Sequence, residues 1–221
     1  LEIENNYNHF ISNNIIDLVS DNDRVGNPQK FKLNVKINNE KITKKISLSG
    51  PTIRYLFVYC QINKIFNLNT DLNNIAEIGG GYGGQALVFD RLIKFKRYFI
   101  FDLPSVNNFS KKYLNNYYLN NSFNSLDINE FNYDIPFDLV ISNYAFSELP
   151  RELQDIYLKK VILNSKSGYM IMNTGNDINA DIVTSRYKAS ELLNIIKSSR
   201  IIEETPLSAK DNYIIIWGDK S

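Results

Sequence analysis

Cysteine and histidine are scarce in this chain of 221 residues, and each scarcity excludes a class of site. The single cysteine, Cys60, rules out an internal disulfide, and its place in the apolar run Leu56–Cys60 predicts a core residue. The single histidine, His9, rules out a histidine-rich centre, and no tight cluster of histidine and aspartate is present. We therefore predict no metal site.

The chain also lacks long hydrophobic runs and an excess of charge of either sign. Its apolar runs are strand-sized, far short of the roughly twenty residues of a membrane-spanning helix, so we predict no membrane span. The 25 basic and 24 acidic residues give a net charge of +1, which argues against a nucleic-acid partner. No signal-like segment is seen and we expect a cytoplasmic protein, although a start at Leu1 is compatible with a piece of a longer chain.

Glycine occurs ten times, and five of the ten stand within residues 79–84, between an apolar strand pattern and a helix pattern. Such a cluster marks positive φ angles or a ligand lying against bare backbone, and the N–H groups of the next helix point at that ligand. Gly79, Gly81 and Gly84 satisfy the G-x-G-x-x-G pattern, which many nicotinamide and flavin enzymes share. No Lys-Ser or Lys-Thr follows, which excludes a Walker phosphate loop.

Glu77 narrows the choice of ligand, because it stands two residues before the first glycine, at the carboxyl end of the predicted strand. A carboxylate there would repel a pyrophosphate but suits a cationic ligand. S-adenosylmethionine carries an ammonium on its methionine half and a sulfonium at its reacting centre. We therefore predict this cofactor.

A second acid, Asp102, follows the predicted strand 97–101, about twenty residues beyond the glycines. In that position it would bind the ribose hydroxyls of a nucleoside, in a dehydrogenase as well as in a methyltransferase. The alternative is a cap for the helix that follows Leu103 and Pro104. Asp102 thus supports a nucleoside ligand without choosing between the two enzyme classes.

Four stretches together resemble the class I S-adenosylmethionine-dependent methyltransferases, and within them the sugar O-methyltransferases. They are residues 77–85 (EIGGGYGGQ), 101–104 (FDLP), 137–149 (FDLVISNYAFSEL) and 212–218 (NYIIIWG), in a resemblance that runs from about Leu48 to Gly218. The first stretch is shared widely among methyltransferases, and the others are narrower. The resemblance implies that the methionine part of the cofactor is surrounded by Glu77, Gly79, Gly81 and Gly83, with Gly80 in the same loop. It also implies that Asp102 and Leu103 hold ribose and adenine.

From Ile75 onward the apolar patterns alternate between strand and helix, which predicts an α/β fold with a mostly parallel sheet covered on both faces. The predicted strands are 75–78, 97–101, 122–126, 137–142, 167–173, 200–205 and 212–217, and the predicted helices are 83–94, 104–117, 150–163 and 185–198. Six residues between the last two strands are too few for a parallel crossover, so these strands should pair antiparallel. The resemblance implies the same Rossmann-like class I methyltransferase fold, with seven strands and a reversed C-terminal strand that an ordinary nicotinamide-binding domain lacks.

Residues 1–50 are predicted to form a prelude to a cofactor-binding domain over residues 51–221. We expect a helix over Asn8–Val19 and then a β-hairpin, because Lys30–Ile37 and Lys41–Leu48 alternate polar and apolar residues. The hairpin would be a lid, an acceptor-side element or a plain edge. Pro51 is well placed to start a helix over residues 52–66.

Ligands of such sheets bind at the carboxyl ends of the strands, which sorts the remaining polar residues. Asp138 opens its strand and so lies at the wrong end. Asn143 closes the same strand and should face the cofactor, while Tyr144 should face both cofactor and acceptor. Glu148 is a candidate general base, or else a carboxylate favoured by the N-terminus of the helix that begins near Pro150.

Five further residues are candidates on weaker patterns. Asp127 would lie near the adenine amino group, and Asn173 would bind a substrate hydroxyl or serve a turn. Arg54 and Tyr55 would contact the cofactor carboxylate or the acceptor, or only pack a helix. His9 is the second candidate base, since histidine ordinarily titrates near physiological pH.

These assignments predict an S-adenosylmethionine-dependent O-methyltransferase that acts on a hydroxyl of a small sugar or a glycan. The sugar comes from the resemblance alone. Two other classes stay open: an NAD-dependent oxidoreductase, and a catalytically silent methyltransferase-like binding module.

Overall fold

A computed structural model describes residues 13–36, 43–68, 71–173 and 186–219. The strands are β1 (Lys30–Lys36), β2 (Thr43–Ser49), β3 (Leu72–Ile78), β4 (Phe95–Phe101), β5 (Ser122–Leu126), β6 (Phe137–Asn143), β7 (Ser165–Met172), β8 (Arg200–Glu203) and β9 (Tyr213–Trp217). The helices are α1 (Asn13–Ser20), α2 (Gly50–Phe66), α3 (Gly84–Leu92), α4 (Pro104–Leu114), α5 (Ala145–Glu148), α6 (Arg151–Tyr157) and α7 (Ala189–Ile195). A 3₁₀ turn (Asp21–Arg24) follows α1, and a π-helical turn (Leu158–Ile162) continues α6.

Strands β3 to β9 form one sheet in the order β5-β4-β3-β6-β7-β9-β8. Neighbouring strands are parallel, except that β9 runs antiparallel to both β7 and β8. The predicted α/β fold and its reversed C-terminal strand are therefore confirmed. Because the chain moves outward from β3 to β5 and then returns to β6, the strand order reverses between β3 and β6, which is where such sheets open a crevice.

The central strands of the sheet are buried on both faces, which explains why they are almost continuously apolar. In β4, Tyr98 and Ile100 face the core under α2 and α3, whereas Phe99 and Phe101 face the core under α6.

The predicted hairpin is confirmed, because β1 and β2 form an antiparallel two-stranded sheet of their own. Val19 of α1 and Leu48 of β2 are buried in the same core as α2 and α3, so these early elements pack on the main sheet. Ser49 caps α2, and its hydroxyl accepts a hydrogen bond from the Thr52 amide at 3.3 Å. His9 and the first half of the predicted helix Asn8–Val19 lie outside the described residues.

The helix predicted over 150–163 is observed as α6 and the π-helical turn that continues it, over residues 151–162. A further short helix, α5 (Ala145–Glu148), precedes Pro150 and was not predicted. A helix of four residues is too short to show a periodic pattern. Within the described ranges, no helix has both the length and the apolar character needed to cross a bilayer.

Candidate functional site

The carboxyl ends of neighbouring strands bring the predicted site residues to one edge of the sheet. Gly79 follows β3, Asp102 follows β4, Asn143 ends β6 and Asn173 follows β7. β3 lies between β4 and β6, and β6 also pairs with β7, all in parallel. Asp138 lies at the opposite end, where its carboxylate accepts hydrogen bonds from two backbone amides of β3, as its place in the sequence predicts.

The glycine loop has the backbone that only glycine adopts freely. Gly79, Gly81 and Gly83 have φ angles of 76°, 54° and 91°. A Cβ on Gly79 would collide with the Cβ of Ala145, because the chain after β6 packs directly on the loop. Among the residues that the structure describes, a Cβ on Gly81 would meet no atom within 4 Å, so this part of the loop is open on their side. The loop therefore offers bare backbone at the mouth of the crevice.

The Asp102 side chain is hydrogen-bonded to the glycine loop and to the residue that follows it. One carboxylate oxygen accepts a hydrogen bond from the Gly81 amide at 2.9 Å, and the other accepts one from the Leu103 amide at 2.8 Å. The predicted capping alternative is not met, because Leu103 is the N-cap of α4 and no side-chain capping bond is formed among the described residues. The Asn107 side chain instead donates to the backbone carbonyl oxygen of Asp102 at 2.6 Å. Since an ionised carboxylate accepts up to about four hydrogen bonds, Asp102 keeps acceptor capacity for two hydroxyls of a ligand.

Glu77 is a carboxyl group sealed inside the protein. Its side chain is 2% exposed, and the Tyr98 hydroxyl donates a hydrogen bond to it at 3.0 Å. Burial raises the pKa of Glu77 to about 8; the bond from Tyr98 opposes this shift, and the nearby Asp102 carboxylate adds to it. Among the described residues, no basic side chain forms an ion pair with Glu77. A cation at this edge would hold the group in its charged form.

Tyrosine rings cover the start of α3. Tyr55 and Tyr82 lie edge to face with ring centroids 5.9 Å apart, and Tyr82 contacts Tyr113 in the same way at 4.8 Å. Asn22 of the 3₁₀ turn donates to the Gly84 carbonyl oxygen at 2.9 Å. These contacts bring the N-terminal segment against the glycine loop. No local pattern indicates the contacts of Asn22 or Tyr82, since their partners are distant in the chain.

Arg54 and Tyr144 meet at a second polar cluster, which also contains Glu204 and Ser208. Arg54 forms an ion pair with Glu204 at 2.6 Å, and the Tyr144 hydroxyl is hydrogen-bonded to Arg54, Glu204 and Ser208. Burial would raise the pKa of Glu204, but the donated hydrogen bonds outweigh it and lower the pKa to about 2. Tyr144 has a φ of 70°, which is an unfavourable angle for a bulky residue, and strained residues of this kind cluster at functional sites.

Glu148 lies at the rim of the site, exposed at the end of α5. The Asn173 side-chain amide donates a hydrogen bond to its carboxylate at 2.8 Å. Asn173 is itself hydrogen-bonded to the hydroxyl of Ser147, which the sequence did not indicate as a site residue. The structure thus joins two predicted site residues, Glu148 and Asn173, to each other.

Asn143 faces the loop helix from the end of β6. Its amide nitrogen lies 3.4 Å from Gln85 Oε1, and Gln85 in turn donates to the Tyr55 carbonyl oxygen at 3.1 Å. The Asn143 Oδ1 atom is buried and has no hydrogen-bond partner in the part of the chain that the structure describes. An unpaired acceptor beside a glycine loop is suited to a ligand that carries donors.

Two residues predicted to lie near adenine, Asp127 and Leu103, differ in their surroundings. Asp127 accepts two hydrogen bonds from Asn129, so its carboxylate is engaged in a local turn. Leu103 is 63% exposed and presents an apolar surface beside Asp102. The Tyr157 hydroxyl lies close enough to Asp102 and Asp127 for both to raise its pKa, after the larger effect of burial. The helical pattern alone did not single out Tyr157.

Comparison with known proteins finds similarity in structure and none in sequence. No protein-family model matches the chain, and no curated protein matches it significantly. Among solved structures, an S-adenosylmethionine-dependent methyltransferase from Clostridium acetobutylicum superposes with a TM-score of 0.51 at 14% identity, over 75% of this chain and 90% of that one. The N-methyltransferase NodS from Bradyrhizobium japonicum gives 0.51 at 15% identity, over 76% and 95% of the two chains.

The mitomycin 7-O-methyltransferase MmcR gives a TM-score of 0.50 at 16% identity, over 76% of this chain and only 57% of that one. Identities this low establish the fold and leave the activity open. The chain therefore has the Rossmann-like fold of class I methyltransferases.

Proposed function

We propose that this protein is an S-adenosylmethionine-dependent methyltransferase that methylates a hydroxyl of a sugar or glycan-type acceptor. The observation that carries the proposal is Glu77. A carboxyl group that is 2% exposed, beside a glycine loop and without a basic partner among the described residues, has its natural counterion in a cationic ligand. A pyrophosphate would bring negative charge to the same place.

The residues at the edge match the parts of S-adenosylmethionine one by one. Glu77 takes the ammonium, and the open backbone at Gly81 lies along the methionine chain. Asp102 accepts the ribose hydroxyls, and Leu103 packs on adenine. The unpaired acceptor of Asn143 is a further site for a donor on the cofactor. Asp127 keeps its predicted place near the adenine amino group, since both hydrogen bonds from Asn129 end on its Oδ1 atom.

When bound, S-adenosylmethionine supplies an electrophilic methyl group: the acceptor oxygen forms a bond to its carbon while the carbon–sulfur bond breaks and leaves its electron pair on sulfur. Glu148 accepts the proton that the acceptor oxygen loses. Arg54 and Tyr144 provide polar contacts for the acceptor. Positioning of two bound reactants contributes up to roughly 7–11 kcal/mol, and a general base about 10²–10⁴-fold in rate.

The sugar acceptor rests on the resemblance of residues 101–104, 137–149 and 212–218 to sugar O-methyltransferases. The solved structures do not choose an acceptor, because their names include both an O- and an N-methyltransferase. A hydroxyl acceptor is consistent with the need for a base, since Glu148 would remove its proton. His9 remains the other candidate for that base.

The first experiment is a thermal shift assay with S-adenosylhomocysteine and NAD in parallel. At a hundred times its dissociation constant, a ligand of the native state adds about 2.7 kcal/mol, which raises Tm by about 5–10 °C for a chain of this size. We expect S-adenosylhomocysteine, but not NAD, to raise the Tm of the protein. Glu77→Gln should abolish this rise in Tm, whereas the exposed control Glu152→Gln should keep it. Stabilisation by NAD alone would refute the proposal and revive the oxidoreductase.

The acceptor is then sought with methyl-tritiated S-adenosylmethionine and a panel of nucleotide sugars and oligosaccharides. Transfer of label to a member of the panel supports the sugar O-methyltransferase. Binding of S-adenosylhomocysteine without transfer of label would favour a catalytically silent binding module.

A further inference from the structure

Ser147 and Asn173 lie behind the proposed base, and their hydrogen bonds form a chain that ends on it. The Ser147 hydroxyl is 2.8 Å from Asn173 Oδ1, and the Asn173 side-chain nitrogen is 2.8 Å from Glu148 Oε1. The backbone amide of Asn173 also donates to the Ser147 hydroxyl at 3.1 Å. Ser147 is 6% exposed, so the inner end of the chain is shielded from water.

The Ser147 hydroxyl has a choice of acceptors. Its oxygen lies 2.6 Å from the Tyr144 carbonyl oxygen as well as 2.8 Å from Asn173 Oδ1, but a hydroxyl has one proton to donate. When it donates to Asn173 Oδ1, the amide must present its NH₂ group to Glu148, as the structure has it. This arrangement stabilises an ionised carboxylate.

The same atoms can also form the opposite arrangement of hydrogen bonds. If Ser147 donates to the Tyr144 carbonyl oxygen instead, its oxygen can accept from the Asn173 NH₂ group after the amide has turned over. Asn173 Oδ1 then faces Glu148, where it can accept a hydrogen bond only from a protonated carboxyl group. The backbone amide of Asn173 donates to Ser147 in both arrangements.

We infer that Ser147 and Asn173 form a reversible hydrogen-bond chain that supports Glu148 both before and after it takes the acceptor's proton. The inference rests on the proposed function, because Glu148 is the base of that reaction. Asn173 is then a positioning residue that acts through Glu148, which replaces its predicted role as a ligand of a substrate hydroxyl. During turnover the proton passes from the acceptor oxygen to Glu148, and the Asn173 amide turns over. The Ser147 hydroxyl keeps its proton but turns, so that it donates to the Tyr144 carbonyl oxygen instead of to Asn173 Oδ1.

The kinetic test is a double-mutant cycle with Glu148→Gln and Asn173→Ala, measured on a panel member that accepts tritiated methyl groups. Glu148→Gln should lower kcat by about 10²-fold or more. Asn173→Ala should lower kcat about tenfold, with the KM for S-adenosylmethionine unchanged. In the Glu148→Gln protein, Asn173→Ala should change kcat less than about twofold, because the residue through which it acts is already disabled.

Matched variants separate this role from a structural one. Asn164 lies at the other end of the same strand, just before β7, and its side chain also donates one hydrogen bond, to the Ile135 carbonyl oxygen at 3.0 Å. Asn164→Ala and Asn173→Ala should lower Tm by similar amounts, but only Asn173→Ala should lower kcat. Ser147→Ala should lower kcat, and Ser147→Thr, which keeps the hydroxyl, should restore most of it. Equal kinetic effects of the two asparagine variants, or additive effects in the cycle, overturn the inference.

A second measurement needs no acceptor and remains decisive if no panel member is methylated. The side-chain NH₂ signals of Asn173 in an ¹⁵N-labelled protein are identified by their loss in Asn173→Ala. They should shift in Glu148→Gln and in Ser147→Ala and stay in place in Glu152→Gln. Signals that do not move in Glu148→Gln overturn the hydrogen-bond chain. The NMR measurement involves no ligand, so it does not depend on the proposed function. The proposed function is refuted separately if S-adenosylhomocysteine fails to stabilise the wild type.

Discussion

Two glutamates of the site are both buried, yet they have opposite surroundings. Glu77 receives a hydrogen bond from one phenol, whereas Glu204 receives hydrogen bonds from an arginine, a phenol and a serine. The pKa of Glu77 is accordingly raised to about 8, and that of Glu204 is lowered to about 2. Among the described residues, Glu77 therefore lacks a positively charged partner, whereas Glu204 has one in Arg54. The two residues should respond to pH in opposite directions.

Replacing Glu77 by glutamine should stabilise the ligand-free protein at alkaline pH. The pKa of Glu77 is higher in the folded protein than its ordinary value of 4.5, so the folded state holds the proton more tightly. Wild-type stability should therefore fall as pH rises from about 4.5 to about 8. Glu77→Gln should match the wild type near pH 5 and exceed it by at least about 1 kcal/mol at pH 9. Thermal unfolding from pH 5 to 9 measures the difference, and parallel curves would contradict the buried, unpaired carboxylate.

Replacing Glu204 by glutamine should have the reverse pH dependence. The pKa of Glu204 is lowered on folding, so its contribution is complete above about pH 4.5 and is lost as pH falls towards 2. Glu204→Gln should cost about 1–3 kcal/mol at pH 7, because Arg54 loses its counterion, and much less at pH 3. Denaturant unfolding at both pH values tests this. The exposed neighbour Glu203 supplies the control Glu203→Gln, and equal losses in the two variants would argue against the ion pair.

At the scale of elements, most of the sheet was predictable because its central strands are apolar runs bounded by polar residues and turns. The predicted strand 137–142 is observed as Phe137–Asn143, and 122–126 as Ser122–Leu126. The short helix α5 was not predictable, since four residues carry no helical period. Its N-cap residue, Tyr144, also has a positive φ that no pattern of apolar residues encodes.

The site was predictable only where a residue follows its own strand. Glu77 and Asp102 stood out because their position relative to β3 and β4 could be read from the sequence. Glu204 could not be identified, because its partner Arg54 is 150 residues away and the neighbouring Glu203 looks the same in sequence. Ser147 was missed because its hydrogen-bond partner, Asn173, follows β7 and lies 26 residues further along the chain.

The 3₁₀ turn Asp21–Arg24 should act as a clamp on the start of α2. Asp23 accepts hydrogen bonds from the Ser49 amide and hydroxyl, both at 2.6 Å, and from the Thr52 hydroxyl at 2.7 Å. Asp23→Ala should lower the free energy of unfolding by about 2–3 kcal/mol, because these buried donors lose their acceptor. Asp21→Ala, which removes only partly exposed ion pairs, should cost less than about 1 kcal/mol. Denaturant unfolding compares the two, and equal losses would contradict the clamp.

At the scale of the whole molecule, the two ends of the sheet are different. The carboxyl end carries the glycine loop and the acids described above. The amino end carries an open groove of about 860 Å³, lined among others by Asp90, Asn120 and Asn121. The Asp90 carboxylate accepts hydrogen bonds from both asparagines, so it is fully used in holding the chain together. A cofactor should therefore protect amides at the carboxyl end of the sheet and leave those at the amino end unchanged.

Hydrogen exchange with S-adenosylhomocysteine should show this difference within one protein. The amides of residues 79–84, 102–107 and 143–145 should become protected, because they surround the proposed cofactor. The amides of residues 93–95 and 120–121, which line the groove, should exchange as before and serve as the internal control. Protection confined to the groove, or spread evenly over the sheet, would contradict the proposed position of the cofactor.

The reversed strand β9 has a consequence for how the protein folds. β9 lies between β7 and β8, although it follows both in the chain. Until β9 is in place, β7 is therefore an open edge and β8 has no neighbouring strand in the sheet. Open edges pair readily with other chains. A folding intermediate that lacks β9 is thus prone to aggregation, and the insertion of β9 covers the exposed edge of β7.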